Sequence, residues 1–282
     1  RDPIHLERMG KSAAIDLAAN IEANLLSTVA LQGAIVVKKV GALTWDDGAT
    51  AEALMLSRGV PAGRARKMFL NPFDFKDVAK DLGNRAYIGD LAKDAYIRSQ
   101  VPNIATFETF RTDSLYNLAA IGTVTSTVVS GNQSFIPTAM TGDLPTDNRR
   151  MTLTVSGANI ANTKNGDSFT IQGVNAVHNI DKTDTGQLMT FRIISGGGTA
   201  NLVITPAIII TGPYKNCSAQ AANTAPLTFL NTVTKPVNAF FADGAVTLNF
   251  GDISVFNDKG GVLGRKLELI TEDGFLRSKA TR

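Results

Sequence analysis

The first part of the chain carries an apolar pattern with the spacing of a helix. From about residue 4 to residue 37, apolar side chains recur at steps of three or four, namely Leu6, Met9, Ala13, Leu17, Ile21, Leu25 and Val29. Such steps place these side chains on one face of a helix. The pattern ends at Gly33 and the β-branched residues 35–37, which lower helix propensity. The sequence therefore predicts one long amphipathic helix.

Local signals predict short helices and strands in the next part of the chain. Residues 46–57 have the composition of a helix and stop before a cluster of glycine and proline. Residues 67–70 are short and apolar like a buried strand, and a helix over residues 73–82 follows a proline in its first turn. We also predict a helical piece at residues 89–99 and extended chain at residues 107–111.

The middle of the chain has the composition of a β structure. Beyond residue 123, Val, Thr, Ser, Asn and Gly dominate and charge is sparse, until well past residue 220. Turn sequences such as Asn165-Gly166 and the triple glycine 196–198 separate the candidate strands. These strands are predicted at residues 123–129, 151–156, 168–171, 188–194 and 201–204. From residue 228 onward we predict short strands around Pro236, Phe240, Leu248 and 267–270.

Composition limits the class of protein. A chain of 282 residues predicts two structural units, and a net charge of +3 is too mild to indicate nucleic-acid binding. Cys217 is the only cysteine, which excludes an internal disulfide and a multi-cysteine zinc site. No apolar run reaches about 18 residues, so no membrane span is predicted. The chain begins with Arg1 instead of Met, which we interpret as a trimmed or partial chain.

The sequence offers no catalytic constellation. The only histidines are His5 and His178, and no Gly-x-Ser-x-Gly elbow occurs. Cys217 has no signature around it and is interpreted as a small apolar side chain. The glycines 196–198 lie between strand-like residues, which favours a hairpin turn over a phosphate loop. We therefore predict no catalytic residue and no cofactor.

Acidic and basic side chains cluster in one predicted loop of the β region. Asp143 and Asp147 precede Arg149 and Arg150. A loop with both signs of charge suits a salt-bridged contact with a neighbouring subunit, and a solvated tip is the alternative. Calcium binding by Asp143, Asp147, Asp181 and Asp184 is disfavoured, because the regular acidic alternation of an EF-hand is missing. No metal site is predicted.

Several segments resemble a known family in their order and approximate spacing. They include Met-Phe-Leu-Asn-Pro-Phe-Asp-Phe-Lys at 68–76, Val-Ser-Gly-Asn-Gln-Ser-Phe-Ile-Pro at 129–137, Asp-Asn-Arg at 147–149, and the segments 165–174 and 238–245. Together they resemble the coat proteins of short-tailed phages of the Salmonella podophage type. The similarity extends over most of residues 5–250.

The resemblance implies an α+β fold, the tailed-phage (Hong Kong-type) major capsid fold with a long spine helix and an inserted antiparallel β-barrel domain. The expected division is 1–38 for the spine helix of the peripheral domain, 39–123 for the first part of the axial domain, 124–228 for the barrel, and 229–282 for the second axial part and the return to the peripheral domain.

Two loops of the barrel gain expected roles from the resemblance. In the family, one loop reaches across capsomers, and residues 141–150 occupy its place in a shorter form. A second loop, linked in the family to shell size, falls near residues 175–187. The resemblance therefore assigns Asp143, Asp147, Arg149 and Arg150 to an intercapsomer contact.

The implied function is a structural major capsid protein that self-assembles into an icosahedral phage head around double-stranded DNA. The implied partners are copies of itself in hexamers and pentamers, a scaffolding protein, a portal, and DNA through weak non-specific contact, with no membrane. The virion capsid is the expected location and the host cytoplasm the place of assembly. A decoration or tail-associated β-rich binding module is the alternative, and a hydrolase is less favoured because only two histidines are present.

Overall fold

The computed structural model describes residues 3–84, 101, 103–141, 143–249, 253–256, 262–272 and 275–281. The predicted helical piece at residues 89–99 and Gly142 lie outside these described residues. The helices are α1 (Pro3–Gln32), α2 (Trp45–Ser57), α3 (Pro72–Asn84) and a single 3-10 turn at Ile160–Asn162. The strands are β1 (Arg66–Leu70), β2 (Phe107–Arg111), β3 (Asn117–Leu118), β4 (Thr125–Val129), β5 (Met140–Thr141), β6 (Leu144–Pro145), β7 (Met151–Ala158), β8 (Ser168–Val177), β9 (Asp184–Ser195), β10 (Asn201–Thr205), β11 (Leu227–Phe229), β12 (Lys235–Pro236), β13 (Ala239–Ala242), β14 (Ile253–Phe256), β15 (Val262–Glu272) and β16 (Phe275–Thr281).

The long helix α1 ends earlier than predicted and packs through a different face. It stops at Gln32, where the N–H of Gly33 donates to the carbonyl oxygen of Val29 at 2.9 Å. Its buried side chains are Leu26 and Ala30, one position beyond the predicted Leu25 and Val29. Steps of four residues rotate by roughly 40° each on a helix of 3.6 residues per turn, so a series of such steps leaves the packing face.

The N-terminal half of α1 is exposed. Met9, Ile15 and Leu17 keep 61%, 68% and 52% of their surface. By length and composition alone, the stretch Glu7–Gln32 is apolar enough to cross a membrane, and little of it is buried against the rest of the protein. Helices that cover their apolar side with other protein meet the same measure, and we assign no membrane role to it.

The body of the molecule is a small α/β unit. Here β1 pairs in parallel with β2 and antiparallel with β13. Helix α2 begins at a capping box, in which Thr44 and Asp47 exchange hydrogen bonds across the first turn. The body core, as the structure describes it, consists of Ala51, Met55, Met68, Leu70, Phe75, Val78, Ala79, Val101, Ile104, Phe107 and Ala242. The helix and strand predictions for residues 46–82 and 107–111 are confirmed to within a residue or two.

The barrel is a six-stranded antiparallel sheet in the order β11-β8-β9-β10-β7-β4. Its edges meet where the N–H of Val129 donates to the carbonyl oxygen of Ala225 at 3.0 Å, next to a bridge between Val128 and Pro226. The sheet is therefore nearly closed on itself. Its interior is a second core, separate from that of the body, built from alternating strand residues such as Leu153, Phe169, Phe191, Ile193 and Leu202.

All five strands predicted in the barrel are present, but the two central ones are longer than expected. Strands β8 and β9 extend to ten and twelve residues because their register shifts past irregular positions that interrupt the simple alternation. Between β10 and β11 the chain is irregular although Ile208, Cys217 and Ala221 are fully buried. Residues 245–249, the described part of the strand predicted around Leu248, are irregular, and the side chain of Leu248 is 43% exposed.

The two connections between body and barrel run side by side, and we call them the neck (residues 117–121 and 231–236). Strand β3 pairs antiparallel with β12. Above this pair, the N–H of Ile121 donates to the carbonyl oxygen of Asn231 at 2.9 Å. The C-terminal strands β14, β15 and β16 form a separate antiparallel sheet.

Candidate functional site

The charged loop of the barrel is a small hairpin with a fastened base. Strands β5 and β6 pair over two residues each. At the base, the amide of Asn148 donates to the carbonyl oxygen of Thr138 at 2.9 Å and accepts from the N–H of Thr138 at 3.1 Å. One side chain thereby replaces a backbone pairing and holds both ends of the loop together.

Asp147 and Arg149 form a forked ion pair within the loop. The Arg149 Nε and Nη2 atoms donate to the two carboxylate oxygens of Asp147 at 2.8 and 3.1 Å, and the backbone N–H of Arg149 donates to the same carboxylate at 3.1 Å. These bonds, helped by the charge of Arg150, lower the pKa of Asp147 to about 2. The carboxylate is therefore held ionised and oriented.

The structure brings together three of the four predicted contact residues. Arg150 lies with its Nε atom 3.8 Å from the Asp147 carboxylate and is 40% exposed at its side chain. Asp143 lies at the exposed tip, and no salt bridge to it exists within the described part of the chain. The loop therefore presents Asp147 in a close pair with Arg149 and a longer one with Arg150, while Asp143 stands apart at the tip.

Large apolar side chains surround this charged cluster. Ile136, Met140 and Leu144 are 78%, 57% and 73% exposed on and beside the hairpin. A hairpin of two-residue strands has no core of its own in which to bury them. Exposed apolar groups beside charges of both signs are typical of a surface that binds another protein.

We expect Asp147 to titrate with a midpoint near pH 2 in a carboxyl NMR titration of the unassembled chain. Because the pKa of the folded state is lower than that of the unfolded state, the ion pair stabilises the loop above about pH 4 and this stabilisation is lost as the pH falls through about 2. In Arg149→Gln the midpoint should rise towards about 4. A Lys182→Gln control, in another loop, should leave it unchanged; a midpoint near 4 in the wild type would contradict the pairing.

The second predicted loop, residues 175–187, packs against the body. The N–H of Asn179 donates to the carbonyl oxygen of Arg58 at 3.2 Å, and a Cβ atom on Gly59 would lie 3.2 Å from the Nε2 atom of His178. Asp184 accepts bonds from Gly186 and Asn175, which lower its pKa. The acidic residues of this loop form no metal site: among the described residues, no three side chains of His, Cys, Asp or Glu lie close enough to hold a metal ion.

The remaining candidates for chemistry occupy structural positions. Cys217 is fully buried in the barrel core, and burial raises the pKa of its thiol to about 12. The glycines 196–198 form the hairpin between β9 and β10, where Gly196 and Gly198 have φ of +78° and +86°. The hairpin predicted there is confirmed. His178 accepts a bond from the N–H of Asp181 at 3.3 Å, and His5 is exposed on α1.

The sequence predictions missed three buried arginines, of which Arg58 and Arg192 lie where body, barrel and α1 meet and Arg66 lies within the body. Arg58, Arg66 and Arg192 are 8%, 1% and 3% exposed. Burial lowers the pKa of Arg192 to about 10, so it still carries its charge at neutral pH. A signal existed for Arg192, which is the single charge in the apolar strand sequence Met-Thr-Phe-Arg-Ile-Ile. A charge that interrupts an apolar strand must find buried partners.

The described residues thus combine two cores, a long helix, a nearly closed barrel and a projecting charged loop, and none of the candidates for chemistry is gathered into a site. The chain belongs to the P22 coat protein family, described as P22 coat protein, gene protein 5, whose model matches residues 1–263. Among solved structures, the CUS-3 coat protein I-domain is 36% identical, with a TM-score of 0.32, over 39% of this chain and 99% of that one.

Family membership makes this chain a structural capsid protein. The predicted fold class, a phage capsid fold with a spine helix and an antiparallel barrel, is confirmed. The family also implies assembly into capsid oligomers, a structural role and a place in the virion capsid.

Proposed function

We propose that this chain is the major capsid protein of a phage head, which it builds by self-assembly of hexamers and pentamers into an icosahedral shell around double-stranded DNA. The family match over residues 1–263 is the observation that carries the proposal. We further propose that it has no catalytic activity and binds no cofactor. Scaffolding and portal proteins are its proposed assembly partners in the host cytoplasm, and its DNA contact is weak and non-specific.

Residues 124–228 are proposed as an inserted domain, with 1–38, 39–123 and 229–282 forming the spine helix, the two axial parts and the return to the peripheral domain. Two observations support this division. The barrel core and the body core are separate clusters. The chain also passes between them only through the neck, within the residues that the structure covers.

Electron microscopy of the expressed full-length protein tests the assembly proposal. Closed particles formed without any preformed shell are expected, because a shell subunit binds copies of itself through repeated equivalent contacts. A decoration module would instead bind only to shells that already exist. A species that remains monomeric under all assembly conditions would contradict the proposal.

The loop with Asp143, Asp147, Arg149 and Arg150 is proposed to contact a neighbouring capsomer. Its fastened base, its exposed apolar side chains and its charges of both signs support this role. Asp143 is the first proposed charge for the neighbour, because it has no salt bridge within the described residues, whereas Asp147 is paired with Arg149 and lies 3.8 Å from Arg150. Such charges set the geometry and specificity of a contact more than its raw affinity.

Reversing the charge of all four residues together is expected to prevent closed particles while leaving the subunit folded. Sedimentation and electron microscopy measure assembly, and circular dichroism measures the fold. Exchanging the signs of the Lys76–Asp77 pair on α3, whose side chains are 67% and 26% exposed at a nitrogen–oxygen distance of 3.4 Å, is the control outside the loop and should assemble normally. If the fourfold variant assembles normally, the loop does not bind a surface of the neighbouring subunit other than the neighbour's own copy of this loop.

A companion variant, Arg149→Glu with Arg150→Glu, makes the loop wholly acidic. A loop that pairs with the same loop of its neighbour keeps its complementarity when all four charges are reversed, but loses it when all become negative. If both variants assemble normally, the loop has no part in the capsomer contact.

A further inference from the structure

The spine helix α1 ends without a cation of its own. Its last turn, Val-Ala-Leu-Gln, contains no basic residue. The carbonyl groups at a helix C-terminus carry partial negative charge and lack partners within the helix. Here the chain continues through Gly33 and Ala34, whose carbonyl oxygens face the barrel and the body.

The barrel supplies the first cation. Arg192 of β9 is 3% exposed, and its Nε atom donates to the carbonyl oxygen of Gly33 at 3.1 Å. Its Nη1 atom donates to the carbonyl oxygen of Gly166, also in the barrel, at 2.9 Å. One guanidinium therefore ties the end of the spine helix to the barrel wall.

The body supplies the second cation. Arg58, the C-cap of α2, donates from Nη1 to the carbonyl oxygen of Ala34 at 3.2 Å and from Nη2 to the hydroxyl of Thr190 at 3.2 Å. The hydroxyl of Thr190 in turn donates to the same carbonyl oxygen of Ala34. Body, barrel and spine helix thus meet at one carbonyl group.

The two surfaces at this point also approach too closely for other side chains. A Cβ atom on Gly166 would lie 2.5 Å from the Cδ2 atom of Leu31 in α1, and Gly166 has a φ of +95°. Glycine is required there by both the contact and the backbone conformation. The barrel is therefore seated directly on the last turn of the spine helix.

We propose that Arg58, Thr190 and Arg192, acting on the carbonyl oxygens of Gly33 and Ala34, form a junction latch that caps the spine helix from outside and fixes the angle of the barrel. Both Nη atoms of Arg58, the hydroxyl of Thr190 and the Nε and Nη1 atoms of Arg192 reach acceptors in this arrangement, and rotating the barrel would leave these buried donors without partners. The hydrogen bonds of the latch thereby hold the barrel at one angle relative to α1 and the body.

Such orientation matters for a shell subunit, and this step rests on the proposed assembly function. The barrel presents its charged loop to one neighbour while the body meets others. If the angle between them changed, the contacts could not form together in a closed lattice. Arg58, Thr190 and Arg192 are positioning residues in this scheme and need not touch the neighbouring subunits themselves.

Hydrogen–deuterium exchange on the unassembled full-length chain tests the latch. Thr190→Val keeps the shape of the side chain but removes both hydrogen bonds of its hydroxyl. Peptides covering residues 29–34 should exchange about tenfold faster, while those of β7 and β10 should not change. Thr152→Val, at an exposed position on β7, is the matched control and should leave residues 29–34 unaffected. Arg192→Lys keeps the charge but cannot bond to the carbonyl oxygens of Gly33 and Gly166 at the same time, as the guanidinium does. Exchange of the same peptides should therefore become faster.

Two exchange results would overturn the latch. One is unchanged exchange at residues 29–34 in both Thr190→Val and Arg192→Lys. The other is an equal acceleration in every barrel strand, which would show that these residues only stabilise the barrel. Neither measurement requires assembly, so the latch and the proposed capsid function can fail independently.

Particle images then test the orienting role. Thr190→Val is expected to give open or irregular shells, whereas Thr152→Val gives particles like the wild type. Regular particles of wild-type diameter from a Thr190→Val chain with faster exchange would refute the control of barrel angle. If the wild type itself forms no particles, the assembly proposal fails and the exchange result alone decides on the latch.

Discussion

Replacing Phe169 by alanine is expected to lower the free energy of unfolding of the barrel by about 3–5 kcal/mol. Phe169 is fully buried, and its ring centroid lies 5.8 Å from that of Phe191 and 5.7 Å from that of Phe229. The substitution removes apolar burial and both ring contacts. It also leaves a cavity in the barrel core, which the closed sheet cannot easily fill by moving its strands. Urea unfolding of the unassembled chain, followed by far-ultraviolet circular dichroism, measures the loss.

The control for this prediction is Phe73→Ala on α3. Phe73 is 73% exposed, so its removal should cost well under about 1 kcal/mol. Trp45 is the only tryptophan and packs against the body core. Its fluorescence transition should therefore stay in place in Phe169→Ala. Equal losses in the two alanine variants would contradict the position of Phe169 in a separate barrel core.

Replacing Arg66 by methionine is expected to destabilise the body by about 3 kcal/mol. The side chain is 0% exposed and pairs with Glu52 at 3.2 Å, while Thr106 bonds to both partners. Methionine fills the space but leaves a largely buried carboxylate without its cation. The lower end of the range for broken buried pairs applies, because Glu52 keeps 19% side-chain exposure. Urea unfolding followed by Trp45 fluorescence measures this loss.

The exposed pair Glu7–Lys11 on α1 provides the comparison. Its side chains are 65% and 72% exposed at a distance of 2.7 Å. Lys11→Met should cost about 1 kcal/mol or less, because water screens the two charges. A loss in Arg66→Met as small as that in Lys11→Met would show that Arg66 contributes packing and little else. In that case Glu52 would be satisfied by Thr106 alone.

The elements predicted well from sequence are those governed by local rules. The helix α2 has its capping box and the glycine–proline stop, and α3 has a proline at its first position. These signals act within a few residues, so no distant contact is needed to interpret them. The barrel strands were found for a similar reason, because β-branched residues between turn sequences are enriched in strands.

The elements predicted poorly depend on contacts between distant residues. The irregular chain between β10 and β11 is buried through single bridges such as those of Cys217 with Ala176 and Ala221 with Gln133, which no local pattern encodes. The end of α1 depends on barrel groups more than 150 positions away and on Arg58 of the body, 24 positions from Ala34. Arg58 and Arg66 are hidden for the same reason, since Arg is usually exposed and, unlike Arg192, neither interrupts an apolar strand sequence of six residues.

The candidate loop shows the same division. Its residues were identified from composition, because charges of both signs stand out in a segment poor in charge. The forked bond between Arg149 and Asp147, and the clasp of Asn148 on Thr138, depend on backbone geometry that the sequence does not specify. The separation of Asp143 from the other three follows from the hairpin, whose two-residue strands place it at the tip.

The neck determines how a mechanical load passes between barrel and body. Strands β3 and β12 are antiparallel neighbours, one leading to the barrel and the other returning from it. A pull that separates barrel from body therefore stretches both strands in the same direction, and it does not slide one strand past the other. The hydrogen bonds between the two strands stay unstrained, and the two covalent chains share the tension with the hydrogen bonds that Arg58 makes to the barrel. A force that draws the barrel away from the body is therefore resisted by two covalent connections at once.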